Sequence, residues 1–271
     1  MWLSYVKEAK ILFSFPFMQH AFVAGTLIAI MSGLIGPFIV ARRMSFLAHT
    51  LSEIGFAGAS FALFMSWSPL VGMLLFSVVA SMSVGELGMK EQRSESLISA
   101  VSAVAIGLGI AFLSLSNKNA TAATGILFGS IFSINQTDVW EVVVLATLVI
   151  LITLMMFRPL RHFAFDYTTA SFSLKNIQLI EVLFLGLMAT TVAVSAQIVG
   201  SLLIFILMIL PASSAMRWGR TVWQIIGLAI MFSVLGVWLA LALSYWLDLP
   251  VSFFIAIIEA SVYFISLIKR R

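Results

Sequence analysis

His49 and Glu53 set an imidazole and a carboxylate four residues apart in an otherwise apolar stretch, Ser45 to Gly58. On an α-helix that spacing leaves the two side chains about 40° apart on one face, close enough to share a ligand. An ionisable group at membrane depth costs on the order of 2.5 kcal/mol or more unless it is paired or lines a polar cavity, so a stacked pair points to an ion pathway. Read structurally, the same two groups would hydrogen-bond to each other and hold two helices together. Glu259, in the last apolar run near Ser261 and Tyr263, is a second intramembrane carboxylate, suited to a helix contact or to ion passage.

The elements that must position these groups are membrane helices. Of 271 residues, 62% are hydrophobic and only 10% charged, against about 25% charged in soluble domains. Runs of about 20 apolar residues recur with short polar breaks, so the expectation is all-α: a polytopic transmembrane helical bundle in one domain over residues 1–271. Runs such as Glu141 to Phe157 are apolar on every side, which excludes the alternation of a barrel strand. Cysteine is absent, which removes disulfides, thiolate metal sites and a thiol nucleophile. The net charge of +4 does not argue for nucleic acid, because the basic residues sit at the ends of apolar runs, where they set topology. Met1 to Phe15 carries Lys7, Glu8 and Lys10 among apolar residues at helical spacing, as an interfacial helix would, and lacks the ordered regions of a signal peptide.

The apolar runs are Phe17 to Ala41, Ser45 to Met65, Pro69 to Val84, Leu97 to Leu115, Asp138 to Phe157, Ile177 to Ala196, Ile198 to Met216, Val222 to Trp246 and Val251 to Ile268. They predict eight or nine spans, since the run from Pro69 is short and the sixth and seventh nearly touch around Ser195 to Gly200. If the breaks after odd-numbered spans face the cytoplasm, that side holds all 15 Lys and Arg except Lys7, Lys10 and Lys118. Such a bias puts the amino terminus outside and the carboxyl terminus in the cytoplasm.

Two breaks carry more than topology. In the external one, Ser116 to Thr137, the segment Gly125 to Phe132 suits either a half-helix dipping into the membrane as part of an outer gate or an interfacial surface loop. The longest cytoplasmic break, Arg158 to Lys175, opens with Pro159, expected to end the fifth span. Within it Asp166 or Thr168 could cap a short helix that places Phe165 and Phe172 against a soluble partner or on the membrane surface. Farther on, Pro211 with the small residues after it predicts a bend and a close helix approach.

Three segments together resemble the permease subunits of bacterial ABC transporters that import zinc, manganese or iron, the ABC-3 family. Gly33-Leu-Ile-Gly36-Pro-Phe-Ile-Val-Ala-Arg-Arg-Met-Ser45, then His49-Thr-Leu-Ser-Glu53 and Gly58, is similar to a family pattern in which Arg-Arg-Met-Ser precedes Asp-Ala-Leu-Ser-His and a glycine. Phe165-Asp166 with Ala170 looks like the family's Phe-Asp-Pro-Glu-Phe-Ala coupling segment. Val199-Gly-Ser-Leu-Leu through Leu210-Pro-Ala is similar to its Val-Gly-Xaa-Leu-Leu and Leu-Pro-Ala run. This chain has His49 where the family has Asp and Glu53 where it has His, so the ligand types survive with their order exchanged. Two family prolines are replaced by Ala57 and Tyr167.

The resemblance implies a type II ABC importer fold and a permease in the plasma membrane that works as a homodimer. Its implied partners are an ABC ATP-binding subunit and an extracytoplasmic metal-binding protein. It further implies a Zn, Mn or Fe ion as cargo at His49 and Glu53, with Phe165, Asp166, Ala170 and Phe172 coupling to the ATPase and no permanently bound cofactor. The chain itself has no Gly-Xaa4-Gly-Lys-Ser/Thr phosphate loop, and its soluble segments are too short for a nucleotide-binding domain, so it is not an enzyme by this reading. Rival readings are an ion-coupled secondary cation carrier, which should show more intramembrane acids or an inverted repeat, and a permease for a chelated metal such as a siderophore. A membrane-embedded enzyme fits less well, because His20, His49 and His162 fall at depths that do not converge.

Overall fold

The computed structural model describes residues 15–88, 95–116, 125–129, 131–167, 169–170 and 176–268. The helix expected at Met1 to Phe15 falls, apart from Phe15, outside them, as does Phe172. In chain order the helices are α1 (Pro16–Ala41), α2 (Ser45–Phe64), α3 (Pro69–Gly88), α4 (Glu95–Leu115), α5 (Gln136–Met155), α6 (Phe157–Phe165), α7 (Ile177–Val199), α8 (Ile204–Trp218), α9 (Val222–Leu247) and α10 (Val251–Ile268). No strand occurs among the described residues. Helices α1, α2, α5, α7, α9 and α10 are long and apolar enough to cross a membrane, and α3, α4 and α8 hold shorter apolar stretches. These match the expected apolar runs. The largest displacement is at α8, expected from Ile198 and found from Ile204, because the chain breaks at Gly200, whose φ of 101° only glycine adopts readily.

Helix α2 pairs with α3 and α4, while α1 packs along α9, α8 and α5, and α10 closes against α8 and α9. Helix α7 runs between the two groups and touches α1, α2, α3 and α5. Of the apolar stretch in α1, α2 and α7, 72% is buried, against 28% in α5 and α10, so the first three form the interior and the last two the lipid-facing shell. Where α2 crosses α3 the contact is backbone to backbone. A Cβ on Gly58 or on Gly72 would strike the other's carbonyl oxygen, so only glycines allow this approach.

If α8 serves as a span, as the apolar runs predict, the break before it falls at membrane depth. With 15 residues, α8 is only about 22 Å long, short of the roughly 30 Å hydrocarbon core. Irregular backbone at that depth must be satisfied inside the protein. Ser201 N–H donates to the Ile126 carbonyl at 3.1 Å and Leu202 N–H to that of Leu127 at 3.1 Å. Residues 125–128 form a helical turn ending at Gly129 (φ 74°), and the turn's carbonyls at Ile126 and Leu127 are the acceptors for the break.

Two proline expectations resolve differently. Helix α8 runs continuously through Pro211, and Ala212 and Ala215 behind it are fully buried, as close helix packing requires. Pro159 does not end the fifth span: α5 stops at Met155, and Pro159 sits in the first turn of α6. That position tolerates proline because first-turn N–H groups have no helical acceptor.

Candidate functional site

Helix α2 presents His49 and Glu53 on one face, with Nε2 of His49 3.5 Å from Oε1 of Glu53. Two donors each about 2.1 Å from one tetrahedral ion lie about 3.4 Å apart, so the pair already has the separation that a shared transition metal needs. Glu53 is further fixed by Ser102 of α4, whose Oγ donates to Oε2. The His49 ring lies against Phe205 of α8, centroids 5.1 Å apart, and its Nδ1 is buried without a hydrogen-bond partner among the described residues. Between the pair in sequence, the Ser52 hydroxyl donates to the Ser201 carbonyl in the break between α7 and α8. The His49 and Glu53 side chains are 33% and 13% exposed, so the pair sits at an opening in the chain's own surface and is not sealed inside it.

The start of α2 is held by the segment expected to couple to a partner. Arg43 takes a left-handed φ of 56° as the chain turns from α1 into α2, and Met44 N–H donates to the Ile39 carbonyl at 2.9 Å. The Arg42 guanidinium carbon lies 4.4 Å from the centroid of Phe163 and 4.1 Å from that of Tyr167, joining the entry of α2 to α6 and the turn after it. Phe165 is half-buried with its ring 6.1 Å from that of Phe38, so it packs on α1. Asp166 is exposed, ends α6, and accepts from Thr169 N–H at 3.2 Å, while Ala170 is buried.

Glu259 is not part of the His49–Glu53 pair. It is fully buried between α9 and α10, its carboxylate filling the notch at Gly236, where a Cβ would collide with Oε1. No group of three or more His, Cys, Asp or Glu that could hold a metal occurs among the described residues, so these offer a pair of donors at this place and not a complete cage. A cavity of about 390 Å³ behind residues 128–133 is lined chiefly by apolar side chains such as Phe128, Phe132, Ile198 and Ile255, and has no donor set. Sequence reasoning did not reach Ser102 or Phe205, which carry no local signal. Ser52 was in view, inside the motif itself.

The family model described as the ABC 3 transport family matches residues 14–270. The chain is similar to the manganese transport system membrane protein MntC of Listeria monocytogenes, 27% identical over 257 residues that cover 94% of this chain and 91% of the relative. It is also similar to the high-affinity zinc uptake system membrane protein ZnuB of Haemophilus influenzae, 26% identical over 259 residues covering 95% and 99% of the two chains. Among solved structures, PsaBC from Streptococcus pneumoniae in complex with Fab superposes with a TM-score of 0.87 at 22% identity, covering 98% of this chain and 95% of that one. At that identity the likeness shows a shared fold.

Proposed function

The chain belongs to the ABC 3 transport family, and from that premise we propose that it is the membrane permease subunit of an ATP-driven importer of divalent transition-metal ions. The cargo is Mn, Zn or Fe, and MntC and ZnuB, named for manganese and zinc, are the relatives that support this choice. The observation that carries it is the His49–Glu53 pair at metal-sharing distance on a transmembrane helix. One imidazole and one carboxylate form half a coordination shell, and His49 keeps a third of its side chain open on the chain's own surface. A second copy related by a two-fold axis would supply the matching half.

The energy comes from a separate ATP-binding subunit. That subunit docks on the cytoplasmic turn at Phe165, Asp166, Ala170 and Phe172, and an extracytoplasmic metal-binding protein delivers the ion from the other side. The membrane is the bacterial plasma membrane, with the amino terminus outside. Metal enters between the two copies, is held by His49 and Glu53, and moves inward when the ATPase shifts α6 and, through Arg42, the start of α2.

The test is uptake at limiting metal by cells or vesicles carrying His49→Ala with Glu53→Ala. Uptake should be lost while the purified complex retains its subunit composition. Uptake equal to that of the unaltered permease would overturn the site.

A further inference from the structure

The break between α7 and α8 brings more than backbone to the metal pair. Ser201 lies at its centre, 2% exposed, and its carbonyl accepts from Ser52, three residues after His49 and one before Glu53. Phe205, one turn beyond Ser201, packs on the His49 ring. Two contacts on successive turns therefore hold this end of α8 against the metal-bearing face of α2. Two buried oxygens in this stretch have no protein partner among the described residues: Oγ of Ser201 in the break and Oε1 of Gln197, four residues earlier in sequence at the end of α7. A buried acceptor left unmade costs about 1–3 kcal/mol, and native structures carry few of them without a reason. In transporters, a helix broken at membrane depth beside the substrate offers donors that an intact helix would spend on itself.

We propose that Gln197 and Ser201 supply oxygen donors to the same transported cation as His49 and Glu53, and that they bias the site toward Mn²⁺ over Zn²⁺. This rests on the His49–Glu53 reading above. Zn²⁺ is satisfied by four nitrogen, sulfur or carboxylate donors in a tetrahedron. Mn²⁺ binds more weakly to any given donor set, so a site that favours it must do so through ligand type and number, and amide, hydroxyl and carboxylate oxygens suit it. Each neutral oxygen added to the imidazole and carboxylate moves the shell from the zinc type toward the manganese type.

The experiment measures competition between Mn²⁺ and Zn²⁺ for uptake by the assembled transporter in vesicles, with the metals presented alone. Gln197→Leu and Ser201→Ala should each lower Mn²⁺ uptake more than Zn²⁺ uptake, moving the uptake ratio toward Zn²⁺. If the ratio is unchanged in both Gln197→Leu and Ser201→Ala while His49→Ala with Glu53→Ala abolishes uptake, the extra donors are refuted and the metal pair stands. If the His49 and Glu53 double variant transports normally, both are refuted.

Discussion

At the scale of residues, the pair on α2 works only if Glu53 points where His49 can use it, and Ser102 is the side chain that aims it. Its hydroxyl occupies Oε2, leaving Oε1 toward the imidazole. Groups that orient a metal ligand without touching the ion typically change affinity by about 10–100-fold when removed. Ser102→Ala should therefore raise the metal concentration for half-maximal uptake by about tenfold. It should leave the assembled complex and its maximal rate close to normal, as a saturation curve for uptake will show. An equal loss in maximal rate would make Ser102 a structural residue of the α2–α4 contact instead. The contact itself joins residues 49 positions apart, and nothing local in the sequence marks Ser102 as the partner.

At the scale of elements, the link that matters joins the segment expected to meet the ATPase to the candidate site. Arg42 lies between Phe163 and Tyr167 at the foot of α2, seven residues before His49. Cation–π contacts of this kind contribute about 0.5–2 kcal/mol. Arg42→Ala should lower uptake by about tenfold, equivalent to about 1.4 kcal/mol, while the assembled complex continues to hydrolyse ATP. Arg42→Lys, which keeps the charge and loses the flat guanidinium, should fall between the two. The positions of the spans were legible because membrane helices announce themselves as long apolar runs, and the His49–Glu53 spacing was legible because it is local to one helix. What the sequence left open was decided by contacts between distant segments. The 125–129 turn reaches the 200–203 break through backbone hydrogen bonds that no side-chain pattern encodes, and α2 meets α3 at two glycines whose pairing appears only once the helices are packed. Pro159 shows the converse: expected to end the fifth span, it lies instead in the first turn of the next helix.

At the scale of the whole molecule, direction follows from how basic residues are shared between the two ends of the bundle. The turn at Thr169 precedes α7 and the loop at Leu249 follows α9, so on the expected span count, in which α7, α8 and α9 each cross, the two lie on opposite sides of the membrane. On that topology the Lys and Arg excess falls on the Thr169 side, which predicts that this side faces the cytoplasm. The chain has no cysteine, so a single introduced thiol reports without background. Both positions are exposed, and neither side chain is used in the site. In intact cells, Leu249→Cys should react with a membrane-impermeant thiol reagent, and Thr169→Cys should react only after the membrane is opened. The opposite pattern would turn the permease over in the membrane and place the Arg42 link, α6 and the expected ATPase contact on the face where no ATP is available, which would undo the importer mechanism as a whole.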